Sequence, residues 1–165
     1  MDERSFPRGN KSVSDSLAES MRIVRYEDIN GNNRLFGGRL MEWIDEAAGV
    51  AARKHCGRDI TTACVDQLTF KNPVLLNDVV AIVARVTHVG RTSMEVRVDS
   101  YVEDVVTGER RLINEAYLTE VCVDSMGNPT PIEYGLAFET DEERRENEDA
   151  LKRIVNRKTR AAEGF

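Results

Sequence analysis

The sequence predicts a single α+β domain, in which a long curved antiparallel sheet wraps around one central helix. Three observations lead there. Leu40, Ile44, Ala47, Ala48 and Ala51 recur at three- and four-residue spacing, which makes the apolar stripe of one amphipathic helix. From residue 61 to residue 124 the period changes to segments rich in Val, Ile, Thr and Tyr, which read as strands. The chain has 165 residues, of which 41% are hydrophobic, enough for one domain with a proper core.

Taken in order, residues 1–16 are polar, with Pro7, Gly9 and several serines, and are expected to form a loose arm. Residues 17–138 hold the domain. Alternation around Met21 and Ile23 predicts a strand between about Leu17 and Asp28. Asn30-Gly31-Asn32-Asn33 follows as a turn, because Gly and Asn tolerate positive φ. Gly37-Gly38 opens the helix, expected over Arg39 to His55 and stopped by Cys56-Gly57. Its small residues, Ala47 to Ala52, imply close packing against a flat surface, most simply the sheet. Strands are then expected over Thr61–Phe70, Asp78–Val89, Thr92–Asp104 and Glu109–Asp124, joined by short links as an antiparallel meander. In the third of these, Met94, Val96, Val98 and Val102 share one face, and Glu95, Arg97 and Asp99 the other. Residues 139–165 form a charged tail, with a short amphipathic helix suggested by Leu151, Ile154 and Val155.

The net charge is −6, which argues against a general nucleic-acid binder. The acidity is uneven. Residues 29–98 carry nine basic against seven acidic side chains, and residues 99–138 carry two against eight. The first stretch therefore leaves room for a small anionic ligand. No apolar run approaches a membrane span, and the Met-Asp-Glu-Arg-Ser start predicts no secretory leader. Cys56, Cys64 and Cys122 form no CxxC pair and read as reduced thiols, so a cytoplasmic location is expected. With His55 and His88 as the only histidines, no His/Cys metal cluster is expected.

Several fragments carry candidate chemistry. The Gly37-Gly38 pair places free N–H groups at the positive end of a helix, suited to an anion or an oxyanion, although a turn alone explains two glycines more simply. Asp45 is a poor helix-interior residue at the border of the apolar stripe. A partly buried carboxylate there could act as a base, and a solvated one beside Glu42 and Glu46 is equally consistent. Asn30 could orient water or a carbonyl, or simply form the turn. Gly90-Arg91-Thr92-Ser93 could grip a phosphate, or be an ordinary hairpin loop. His55-Cys56 are better explained by a helix end than as a nucleophile pair. The motifs of Ser-His-Asp hydrolases, phosphate loops and dinucleotide folds are missing. One spacing has a consequence: seven helical residues span about 10.5 Å, so Gly38 and Asp45 of one chain cannot touch the same carbonyl carbon. If both serve one reaction, two copies of the chain must share each site.

Together these fragments resemble one family. Asn30 to Gly49 (NGNNRLFGGRLMEWIDEAAG) is similar to the signature of hotdog-fold acyl-CoA thioesterases, in the branch of broad-specificity bacterial acyl-CoA hydrolases and their cytosolic animal relatives. Thr61 to Pro73, Asn77 to Val80 and Val89 to Val96 extend the likeness, in the family's order, over about residues 17–131. The resemblance implies the hotdog fold, a long curved antiparallel sheet around a central helix. It also implies hydrolysis of acyl-CoA to CoA and a free carboxylic acid in lipid metabolism, with no metal and no cofactor apart from the CoA of the substrate. Asp45 matches the acid that activates water, Asn30 the residue that helps place substrate and water, and Gly37 and Gly38 the helix-start donors facing the thioester oxygen. Phe36, Phe70, Lys71, Arg91, Thr92 and Ser93 match substrate- and CoA-binding positions. Dimers with shared sites, assembled as a trimer of dimers, are implied as well. Two turn glycines of the family are replaced here, by Asn33 and Asn77, both able to take positive φ. Two alternatives stay open at this point: a non-catalytic acyl-CoA-binding regulatory module, and a hotdog dehydratase of 3-hydroxyacyl thioesters.

Overall fold

The computed structural model describes residues 6–164. Its centre is helix α1, Gly37–Cys56. Leu40, Trp43, Ile44, Ala47, Ala48, Ala51 and Ala52 form its buried face, and the alanines let the helix axis come close to the sheet behind it. The helix starts at the glycine pair, two residues earlier than expected. It ends at Gly57, whose φ of +67° turns the chain out while its N–H donates to the Arg53 carbonyl at 2.8 Å.

Two strands lie before and directly after this helix, β2 (Ala18–Ile23) and β3 (Asp59–Phe70). Three more follow, β4 (Val79–Val89), β5 (Ser93–Glu103) and β6 (Arg110–Val123). A short leading strand, β1 (Asn10–Ser12), precedes them. The main sheet is antiparallel in the order β2-β4-β5-β6-β3. The four strands expected after the helix all form, with ends displaced by one or two residues. The strand expected to run to Asp28 stops at Ile23, and residues 26–28 form a 3-10 turn.

One expectation is corrected. β4, β5 and β6 form a meander, but β3 does not pair with β4; it lies at the far edge, beside β6. The link after β3 contains Pro73 and Asn77 with φ +68°, and it pairs elsewhere: Leu35 N–H donates to the Val74 carbonyl at 2.8 Å, and Arg34 bridges to Leu75. The link therefore serves the entrance to α1 rather than a tight hairpin.

Alternate residues of the strands, including Val80, Ile82, Ala84, Val96, Val98, Ala116 and Leu118, join α1 in one core. The opposite face is covered as well, by α2 (Asp141–Glu163), which is much longer than the short helix expected. It docks through charge: Arg153 pairs with Glu95, Glu146 with Arg85 and Arg97, and Arg157 with Asp66. Glu95 and Asp99, which alternate with the core residues of β5, are buried and paired, Glu95 with Arg153 of α2 and Asp99 with Arg85 and Arg97 of the sheet.

Part of the arm expected over residues 1–16, residues 1–5, lies outside the described residues. Beyond it, β1 pairs in parallel with β7 (Gly135–Ala137). Lys11 Nζ donates to the carbonyls of Lys54 and His55, satisfying the C-terminal end of α1.

Candidate functional site

The segment before α1 is built by Asn30. Its side-chain Oδ1 accepts from the N–H of Asn32 at 2.9 Å and of Arg34 at 3.3 Å, while its backbone N–H donates to the Arg34 carbonyl at 2.8 Å. Asn33 sits at φ +56°, the left-handed conformation that glycine would otherwise supply. With Oδ1 committed to the turn, the amide Nδ2 is the donor Asn30 has left for a ligand.

Phe36 is the N-cap of α1 and gives no side-chain cap. Arg39 and Leu40 N–H groups fold back onto its carbonyl, at 2.9 and 3.1 Å. The N–H groups of Gly37 and Gly38 precede the first helical bonds and point out of the helix start, where the dipole is positive. Two aromatic rings press on these glycines. A Cβ on Gly38 would lie 2.6 Å from the Phe36 ring, and one on Gly37 3.2 Å from the Phe70 ring. Both rings are themselves more than half exposed. Beside them opens a cleft of about 390 Å³, lined by Asn30, Arg34, Gly37, Phe70 and Lys71 among others. Of the sequence-predicted residues, Asn30, Gly37, Phe70 and Lys71 thus meet at one cavity, with Gly38 and Phe36 adjoining. Lys71 also pairs with Glu115 on β6.

Asp45 is not part of this cleft. It lies mid-helix over β3 and is exposed in the single chain, the solvated of the two placements left open by the sequence. Its Oδ1 accepts a 2.7 Å hydrogen bond from the Thr62 hydroxyl. The same hydroxyl lies 3.2 and 3.3 Å from the two carboxyl oxygens of Glu120, the residue directly opposite Thr62 in the β3–β6 register. Glu120 is fully buried. Burial pushes its carboxyl up to about 7; the Thr62 hydrogen bond pulls it down, and the charge of Asp45 pushes it up. Thr62 and Glu120 were not singled out from sequence. The available signal was Glu120 itself, an acid with the same strand parity as the core residues Ala116, Leu118 and Cys122.

The Arg91 loop lies elsewhere on the chain. It joins β4 to β5, with Gly90 N–H donating to the Ser93 carbonyl at 2.7 Å, and Arg91 lines a separate cavity with Arg58, Ile132 and Glu133. Thr92 and Ser93 stand at the same hairpin, where the Thr92 carbonyl accepts from Cys122 N–H at 2.8 Å. His55 and Cys56 form no nucleophile pair. The ring of His55 is buried between the Ser16 hydroxyl and the Tyr134 carbonyl, and burial holds its pKa below the usual value. Among the described residues, no group of three or more His, Cys, Asp or Glu side chains is placed to hold a metal ion, and no helix is long and apolar enough to cross a membrane.

This geometry can be set beside known proteins. The thioesterase superfamily profile matches residues 32–109. An uncharacterized acyl-CoA thioester hydrolase of Bacillus subtilis, YkhA, is 41% identical over 133 residues, which is 81% of this chain and 77% of that protein. The acyl-CoA hydrolase of Staphylococcus aureus, solved with butyryl-CoA, CoA and CoA disulfide, superposes with a TM-score of 0.87 at 36% identity, covering 93% of each chain. Alanine variants of that enzyme at an asparagine, an aspartate and a threonine have the same fold as this chain. A hexameric acyl-CoA thioesterase superposes with a TM-score of 0.88 at 39% identity, covering 93% of this chain and 98% of that one.

Proposed function

This chain belongs to the hotdog-fold acyl-CoA thioesterases, and on that premise we propose how its acyl-CoA hydrolase activity is divided among its residues. Asp45 activates the water that attacks the thioester carbonyl. The N–H groups of Gly37 and Gly38 receive the oxygen as it becomes negative, and Asn30 Nδ2 places the carbonyl or the water. The carbon–sulfur bond then breaks, the carboxylic acid forms, and the sulfur leaves as CoA thiol with the proton that water gave up.

The observation that carries this reading is the separation of its two halves. The glycine N–H groups open on the cleft at the helix start, whereas Asp45 stands about 10.5 Å further along the same helix. A second copy closes the gap. Among the described residues, the outer edge of β3 is unpaired over its 12 residues, and an unpaired edge invites a partner strand. Two such edges related by a two-fold axis make one continuous sheet and run the α1 helices antiparallel, so each helix start faces the middle of the other helix. Each site then takes its donors from one subunit and its carboxylate from the next, and three such dimers give the hexamer stated for the similar thioesterase.

The residue types agree. The asparagine, aspartate and threonine altered in the Staphylococcus enzyme are fifteen and seventeen residues apart, as are Asn30, Asp45 and Thr62 here. Phe36, Phe70 and Lys71 bind the pantetheine arm along the cleft, and Arg91, Thr92 and Ser93, which lie away from this chain's own cleft, meet the phosphate end from a neighbouring subunit of the assembly. Thiol release from a panel of acyl-CoAs tests the assignment. Wild type turns over and Asp45→Ala falls to near background; equal rates for the two remove Asp45 from the reaction.

A further inference from the structure

We infer that Glu120 is a positioning residue of this site: in its neutral form it donates to Thr62 Oγ1 and thereby points the single Thr62 hydroxyl proton at Asp45. The inference rests on the role given to Asp45 above and extends it.

Thr62 Oγ1 has one proton and lies within hydrogen-bonding distance of three carboxyl oxygens, Asp45 Oδ1 at 2.7 Å and Glu120 Oε1 and Oε2 at 3.2 and 3.3 Å. If both carboxyls were ionised, one carboxyl would face only lone pairs, and two negative charges would flank one hydroxyl. A proton on Glu120 resolves this. It donates to Thr62, Thr62 donates to Asp45, and each carboxyl then shares one hydrogen with the hydroxyl. The distances agree with that order, since the short contact is the one made to the charged partner.

Among the described residues of the single chain, no oppositely charged group acts on Glu120. Glu120 is fully buried, and its register neighbours on β3 and β5 are the uncharged Thr62 and Met94. The charged group acting on it is Asp45, from α1, with the same sign. Burial and that charge hold the Glu120 carboxyl up to about 7, so it carries its proton through the acidic and near-neutral range. As it ionises, the Thr62 proton is contested, Asp45 loses its fixed orientation, and turnover falls. A hydrogen-bonded carboxylate whose lone pairs are aimed at the reacting water saves the cost of orienting it during the reaction.

The test compares wild type, Glu120→Gln, Glu120→Leu and Asp45→Ala across pH 5 to 9, with kcat and KM measured separately on one acyl-CoA. Gln keeps a neutral donor and cannot ionise; Leu keeps bulk and donates nothing. The expected result is a wild-type kcat that falls as pH rises through about 7. In Glu120→Gln that inflection is absent and the low-pH kcat is retained. Glu120→Leu loses about tenfold in kcat at nearly constant KM. Alongside, carboxyl 13C titration of glutamate-labelled protein, assigned with Glu120→Gln, gives a Glu120 signal titrating near 7; this readout needs neither turnover nor a folded Leu variant. A wild-type inflection that persists in Glu120→Gln, a Glu120→Leu variant with undiminished kcat, or a Glu120 signal in the ordinary carboxylate range overturns the inference while Asp45→Ala remains inactive. Full activity in Asp45→Ala overturns the underlying reading instead.

Discussion

Glu120 also links the site to stability, and the sign can be worked out. Its folded-state pKa is raised, to about 7 from an ordinary 4.5. Below the ordinary value both folded and unfolded chains hold the proton, and the group's contribution is fully present. Between 4.5 and 7 the unfolded chain releases the proton while the folded chain keeps it, so stability falls as pH rises. Above 7 the loss is complete. At 1.36 kcal/mol per unit this amounts to about 3 kcal/mol per chain, most of it lost between pH 5 and pH 7. Glu120→Gln preserves the shape and the donor but removes the titration. Urea unfolding of wild type and Glu120→Gln, at equal chain concentration and at several pH values between 5 and 8, reads the difference directly. The gap between the two proteins should widen in favour of the Gln variant by about 2 kcal/mol or more as pH rises from 5 to 8. A gap that is the same at both ends of the range would refute the claim that Glu120 is buried with its proton.

Other consequences are simpler. Arg153→Ala leaves the Glu95 carboxylate, 1% exposed, without its guanidinium and should cost at least about 3 kcal/mol in denaturant titration, with α2 released from the sheet. Gly38→Ala favours the helix by up to about 1 kcal/mol yet places a methyl 2.6 Å from the Phe36 ring, so the melting temperature should hold while kcat/KM for acyl-CoA falls. Thr62→Val keeps the volume and removes the hydroxyl between two carboxyls; loss of a hydrogen bond to a charged group, about 2 kcal/mol, should lower kcat by tenfold or more with KM little changed.

The elements of this fold differ in how openly the chain declares them. α1 is legible because its core contact is apolar and periodic, and glycines mark both ends. The strands are legible because alternation survives wherever one face meets α1. The place of β3 is not, since short links suggest hairpins, whereas residues 71–78 carry the chain past the start of α1 before β4 begins. The length of α2 is hidden for a different reason. Only Ala150 is buried on it, and it is held by Glu146, Arg153 and Arg157, which hydropathy reads as solvent-facing. The same division runs through the site. Asn30 and the glycine pair are local features of one turn and can be read in place. The Asp45–Thr62–Glu120 group exists only through the β3–β6 register with a helix laid over it, and no short motif encodes a cross-strand pair.

If each site is assembled from two chains, two inactive variants must complement one another. Asp45→Ala and Asn30→Ala are each prepared as inactive parents, then co-expressed or unfolded and refolded together in equal amounts. Random pairing makes half the dimers mixed, and each mixed dimer has one site with both Asp45 and Asn30 intact, so the mixture should recover about a quarter of wild-type kcat. A mixture as inactive as its parents, with mixed dimers verified by mass, would place Asp45 and Asn30 in the same chain's site and contradict the account.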